Sequence, residues 1–340
     1  MITKASAIPA SSPLPLLEID LAAAVVTLNQ QTPQILVARN AQQDVKAPDL
    51  WSLPSGRFEP TQSRTLEIAL RGFVSTQAGC ELGYVEQLYT FGDRGRAAES
   101  EEGHRHVVSI GYLALTNALA GQTGLPRTAR LHPWYSFFPW EDWRAGRPSI
   151  LDKEIMPQLN AWASDSAGER ADSARRALPR KARLRLCFGA DGSPWDEEKV
   201  LERYELLYEA GLLEEARRDG RSAALSRASL PSLGDAMTHD HRRILATAMG
   251  RLRGKLKYRP VVFELMPDIF TLTALQHTVE AISGRHVHKQ NFRRFVENTA
   301  LVEPTGQQLM TRGRPAQLFR FRPDVLQERP APGLRLRGRN

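Results

Sequence analysis

The sequence predicts an α+β chain of two domains: a sandwich of helices around a mixed sheet, followed by a helix-turn-helix with a β-hairpin. Three observations carry that expectation. β-rich runs alternate with a strong helical segment over residues 1–140, two helical patterns precede a hairpin pattern near the C-terminus, and the excess positive charge is confined to that end. At 340 residues there is room for two separate cores, taking roughly 100–200 residues per domain.

Composition narrows the class. Hydrophobic residues are 41% and charged residues 25%, as in ordinary globular chains. No run approaches the roughly 18 apolar residues of a membrane span. Residues 1–15 hold one lysine and no sustained apolar stretch, so a secretory leader is not expected. Cys80 and Cys187 stand alone, which excludes a disulfide framework or a cysteine zinc site and fits a reducing cytoplasm. Residues 235–340 carry 19 Lys and Arg against 9 Asp and Glu, whereas residues 1–234 carry 27 against 29. A basic segment on an otherwise balanced chain points to a polyanion, DNA or RNA first.

In the N-terminal part, 19–28 and 34–39 read as strands separated by a polar turn, and 65–77 as a helix with Gly79 as its cap. Strands are expected over 84–91 and 106–115, and the aromatic run 131–140 is expected to complete the sheet. Polar, alanine-rich 164–181 reads as a linker. Behind it, 183–188 reads as a strand, 197–216 as one long helix, and 217–234 as a second loose stretch. The expected organisation is an N-terminal domain over 1–164, a linker and insertion over 165–234, and a linking helix with the basic C-terminal domain over 235–340.

The segment Leu53-Pro54-Ser55-Gly56-Arg57-Phe58-Glu59-Pro60, followed by a helix ending at Gly79, resembles the loop–helix–loop of the Nudix fold. That resemblance implies an α/β/α sandwich. The family's helix carries an Arg-Glu and a Glu-Glu pair whose carboxylates, one turn apart, hold magnesium against a pyrophosphate. Aligned on Gly79, those positions are Gly72 and Phe73, and Thr76 and Gln77, and no carboxylate lies between Glu67 and Glu81. The expectation is therefore a domain without hydrolase activity, with no catalytic residue, metal or catalytic cofactor. A pocket for a nucleotide remains, with Arg39, Trp51, Ser55, Gly56, Arg57, Glu59, Arg71 and Gln77 as its candidate residues. The alternative is a Nudix hydrolase of ADP-ribose or a related dinucleotide with a DNA-binding appendage.

Near the C-terminus, 273–276 fits a capping box opening a helix that stops at Gly284, with Leu275, Val279 and Ile282 on one stripe. The next helix, 288–300, puts Phe292, Phe295, Val296 and Thr299 on one face and Gln290, Arg293, Arg294 and Glu297 on the other. Arginine and glutamine facing outward suit base edges in a major groove. The hairpin that follows carries Arg312 and Arg314 at its tip, as a wing for phosphates. Candidate DNA contacts are Thr271, Thr273, Lys289, Gln290, Asn291, Arg293, Arg294, Arg312 and Arg314. Between the domains, Leu245, Ala248, Met249, Leu252 and Leu256 form a helical stripe that could pair with a twin or pack on its own domain.

The runs 86–93 and 107–115, then 251–267, 270–276, Asn291-Phe292-Arg293-Arg294 and 313–319, closely resemble the Nudix-related transcriptional regulators of NAD metabolism (NrtR-like). The longer middle segment is more similar to their NAD-biosynthesis repressor branch (NadQ-type). The resemblance implies a homodimeric, cytoplasmic repressor with a winged helix-turn-helix on double-stranded operator DNA. It also implies repression of NAD-synthesis genes and a nucleotide effector, NAD, ATP or ADP-ribose. Activation of another pathway, such as sugar genes, is the remaining reading within that family.

Overall fold

The computed structural model describes residues 16–39, 50–93, 105–120, 124–165, 178–310 and 315–325. The N-terminal half is built on a mixed sheet in the order β4-β5-β1-β2-β6, with β3 also on β1. β1 (Leu16–Asn29) turns into β2 (Thr32–Ala38) through Gln30 and Gln31, both at positive φ, the backbone a tight two-residue hairpin requires. β3 (Ser55–Arg57) pairs antiparallel with β1, and β5 (Arg105–Leu115) runs parallel to it from Leu16↔Arg105 to Val26↔Leu115. β4 (Tyr84–Phe91) and β6 (Ala129–Pro133) are the edges.

Period-two alternation along β1 separates two cores. Leu21, Ala23 and Val25 face α1 (Leu66–Ala78), which buries Ala69, Leu70, Val74 and Ala78. Thr65 caps that helix by accepting from the Ile68 amide, and Gly79 closes it at φ +62. Ala22, Ala24 and Val26 face the opposite core, which continues without a break into the C-terminal helices. There α8 (His241–Leu256) lies directly on β5: a Cβ at Gly111 would meet Ile244 at 2.8 Å.

Several sequence expectations are corrected. β6 is a short edge strand; beyond Pro133 the aromatic run turns into α2 (Trp134–Phe137) and a 3-10 turn, Pro139–Glu141. After α3 (Met156–Ser164), the expected strand at 183–188 is a helix, α4 (Arg180–Phe188). The alternating Arg and Leu residues suggest a strand, yet the buried set Leu184, Cys187 and Phe188 follows helical spacing. The long helix at 197–216 is two: α5 (Val200–Glu209) and α6 (Glu214–Arg218). Gly211, at φ +68, breaks it where a Cβ would collide with Ala223 and Ala224. The stretch 217–234 is packed, with α7 (Ser222–Leu225), buried Ala224 and buried Leu233. Most of the expected 164–181 linker lies outside the described residues.

The stripe on α8 is settled by burial. Leu245, Ala248, Met249, Leu252 and Leu256 are all 2% exposed or less within one chain, so that face packs on its own domain and is not a pairing surface. The C-terminal domain follows: β7 (Phe270–Thr271), α9 (Leu272–Ser283), α10 (Lys289–Thr299), β8 (Val302–Leu309) and β9 (Ala316–Phe321), the strands ordered β7-β9-β8. Two helices and a terminal hairpin make a winged helix-turn-helix, as the sequence predicts. The N-cap of α9 is Thr271 rather than Thr273: its hydroxyl accepts from the Ala274 amide at 3.1 Å. Threonines at both positions made the register ambiguous; β7 decides it by fixing Thr271 in extended backbone.

Candidate functional site

The candidate DNA-facing surface is built from α10 outward. Phe292 and Val296 are buried and Phe295 half-buried, which fixes the helix's rotation on α9. Lys289, Gln290, Asn291, Arg293, Arg294 and Glu297 are then all exposed, as 100° per residue requires. Arg293 reaches back to α9, where its guanidinium donates to the Thr273 hydroxyl at 3.5 Å. Glu280, at the C-terminal end of α9, anchors the turn by accepting from the Val287 amide at 2.9 Å and Gln276 at 2.9 Å, with His286 at 3.0 Å. Burial pushes its carboxyl up, but these donors outweigh it and hold it below the usual range.

The wing is the β8–β9 hairpin. Arg312 and Arg314, the expected phosphate contacts, lie outside the described residues. Sequence reasoning missed the apolar approach to its tip, where Leu309 is 50% and Met310 79% exposed. In the sequence they read as strand-forming residues, and their exposure is visible only in the folded hairpin.

The eight expected pocket residues fall into separate groups. Trp51 is flanked by two guanidinium groups, Arg39 at 4.5 Å and Arg130 at 4.1 Å from the ring centre. Arg130 was not among the candidates; it lies in β6, and its register opposite Val37 brings it there. Gln77 donates to the Ser55 carbonyl at 2.6 Å and accepts from its amide at 3.2 Å. A Cβ at Gly56 would press into the Phe73 ring at 2.9 Å, so that position keeps loop and helix together. Arg57 pairs with the buried Glu18 at 2.5 Å. Arg71 donates to the carbonyls of Leu82 (2.5 Å) and Gly83 (3.1 Å) and pairs with Glu67. Glu59 is exposed.

Next to Arg57 in the β1–β3 register stands Asp20, whose Oδ1 is buried without a hydrogen-bond partner. Burial raises its carboxyl pKa, and the nearby Arg57 only partly opposes this. The chain entering α8 closes this side of the sheet: Met237 bridges Trp51, the Thr238 amide donates to the Trp51 carbonyl, and His241 Nδ1 accepts from the Leu53 amide at 2.9 Å. A separate cleft of about 510 Å³ opens on the α1 face, lined by Phe58, Arg64, Thr65, Leu66, Glu67, Val85, Gln87 and Tyr112. Among the described residues no cluster of three His, Cys, Asp or Glu side chains could hold a metal ion.

Comparison with known proteins bears on both ends. Residues 262–321 match the NrtR DNA-binding winged helix domain. The chain is 41% identical over 85 residues to the ADPR responsive transcriptional repressor NtrR of Acinetobacter baylyi, a match covering 25% of this chain and 34% of that protein. It thus spans about a third of the length of that relative. The structure of Shewanella oneidensis NrtR complexed with a 27mer DNA superposes with a TM-score of 0.53 at 19% identity, covering 91% of this chain and 95% of that one. The same protein without DNA superposes equally well, at TM-score 0.53 and 19% identity over 90% and 95% of the two chains. Residues 262–321 therefore match the NrtR DNA-binding winged helix domain, and the chain shares the overall fold of the Shewanella protein.

Proposed function

We propose that the chain is a DNA-binding transcriptional repressor whose Nudix-type domain senses a nucleotide. The observation that carries this reading is α10: two buried apolar anchors hold it so that Gln290, Arg293, Arg294 and Glu297 face outward with Lys289 and Asn291. That surface suits a major groove, with arginine for guanine and glutamine for adenine. The wing, including Arg312 and Arg314, takes the flanking backbone. As a homodimer the chain reads a two-fold operator upstream of NAD-biosynthesis genes.

ADP-ribose is the first effector to test, since the Acinetobacter relative is named as responsive to it, with NAD and ATP beside it. The Trp51 ring, with Arg39 and Arg130 against it, supplies an aromatic surface and cations for such a ligand. The domain binds without turnover because α1 offers Gly72, Phe73, Thr76 and Gln77 where magnesium needs carboxylates. Calorimetric titration of ADP-ribose, NAD and ATP with magnesium present, followed by product analysis, tests this. Binding without product supports a sensor, turnover revives the hydrolase, and no binding removes these nucleotides as effectors.

A further inference from the structure

The inserted segment has a role that the DNA-binding fold itself does not account for. Glu141, in the 3-10 turn behind β6, is fully buried and surrounded by two buried arginines. Arg203 of α5 grips its carboxylate with Nε at 2.6 Å and Nη2 at 2.8 Å. Arg253 of α8 donates to the same carboxylate at 2.7 Å. Burial alone would raise the carboxyl pKa, but the two guanidiniums hold it below its usual range. Arg203 also donates to the carbonyls of Cys187 and Asp196, so the insertion is tied to this carboxylate from two sides.

From here the contacts run to the DNA-reading helix pair. The last carbonyls of a helix lack intrahelical donors and form the negative end of its dipole. In α9 they are met from outside: Arg253 Nε donates to the Ile282 carbonyl at 3.0 Å, and the Tyr135 hydroxyl to the Ala281 carbonyl at 2.7 Å. The Trp143 amide donates to the Gly284 carbonyl at 2.8 Å. Gly284 caps α9 at φ +73, and a Cβ there would stand inside contact distance of the Glu141 carbonyl and the Tyr135 hydroxyl. The turn that aims α10 is thus clamped to the sheet side of the molecule.

We propose that Glu141 and Arg203 are positioning residues for DNA recognition: α5, which belongs to neither the helix-turn-helix nor the wing, fixes the angle at which the DNA-reading helix pair is held against the sensing sheet. This rests on the DNA-binding reading above. Removing Arg203 leaves Glu141 with Arg253 alone, so the clamp loosens at the end of α9 while α10 keeps every side chain it uses.

The test uses the full chain carrying Arg203→Met, and in parallel Arg203→Lys, which keeps the charge but loses the two-pronged grip. Two quantities are read: amide hydrogen exchange over 281–287, with α1 amides as an internal control, and affinity for a duplex that the unaltered chain enriches from a random-sequence pool. Arg203→Met should speed exchange at the α9 end about tenfold relative to α1 and weaken the duplex about tenfold, with Arg203→Lys between. Unchanged exchange and unchanged affinity in a folded Arg203→Met chain would overturn the proposal. If the unaltered chain enriches no duplex, the DNA-binding reading falls, while the exchange data still decide whether α5 holds the turn. If Arg203→Met unfolds, the same two outcomes are read from Arg203→Lys.

Discussion

Helices α10 and α1 both carry arginine and glutamine side chains, and they use them in opposite ways. On α10 the basic residues point into solvent: Arg294 is exposed, and so is Arg293, which reaches the Thr273 hydroxyl at the limit of a hydrogen bond. On α1 Arg71 and Gln77 are already engaged within the fold. Arg71 is occupied by two carbonyls and Glu67, and Gln77 by both backbone groups of Ser55. A helix that reads a partner must leave its donors unsatisfied until the partner arrives, whereas a helix that shapes a loop satisfies them within the chain. The two roles are told apart by what each side chain already holds, not by residue type.

The sharpest way to break this comparison is Arg293→Ala with Arg294→Ala. Loss of two groove-facing arginines should cost about 2–6 kcal/mol of operator affinity, at about 1–3 kcal/mol per bidentate base contact, with the melting temperature unchanged. Anisotropy titration and a thermal scan on one preparation check both halves, and retained affinity would sink the recognition-helix assignment. On α1 the expectation is reversed. Gln77→Ala leaves the buried Ser55 backbone without its partner and should cost about 1–3 kcal/mol of stability in a denaturant melt. A loss of effector binding with unchanged stability would instead place Gln77 in the pocket.

Two smaller effects depend on pH. Glu280 has a depressed folded-state value, so its contribution is complete above the ordinary glutamate range and is lost as pH falls through the lowered value. The protection of the Val287 amide, relative to its intrinsic exchange rate at each pH, should therefore fall in acid in the unaltered chain and be low already at neutral pH in Glu280→Gln. Asp20 shows the opposite sign. Its raised value means that whatever stability it contributes is present in acid and lost as pH rises through the folded-state value. Asp20→Asn should consequently raise the melting temperature at neutral pH and leave it unchanged in acid. A fall at neutral pH would show that the charged form is held by a group in the fold.

Salt contributes a further contrast between the two ends. Operator affinity should drop steeply as salt rises, since each phosphate contact releases counterions. Binding of ADP-ribose, a smaller and less charged ligand, should respond much less. Equal salt slopes would mean that the basic C-terminal region contributes no more phosphate contacts than the pocket does.

Legibility followed the same division. The outward face of α10 could be read from spacing alone, because two phenylalanines and a valine dictate which side is buried, and the rest follows from helical geometry. The β1–β2 hairpin, the span of α1 and its Gly79 cap were equally local. The pocket was not. Arg130 reached Trp51 only through the pairing of β2 with β6, and Gln77 was occupied by a loop some twenty residues away. The 183–188 error has a related cause: alternating Arg and Leu fits a strand until Phe188 and Cys187 find a core that demands helical spacing.

Chain chemistry by itself determined the element types in the strongly periodic segments, the concentration of positive charge near the C-terminus, and the absence of carboxylates along α1 beyond Glu67, since each depends on residues close in sequence. Tertiary structure alone decided that the α8 stripe packs within its own chain, that residues 180–218 are helical and broken at Gly211, and that Glu141, Arg203 and Arg253 meet. Those outcomes depend on which surfaces are desolvated together. A buried carboxylate between two arginines is stable only where distant parts of the chain supply all three at once.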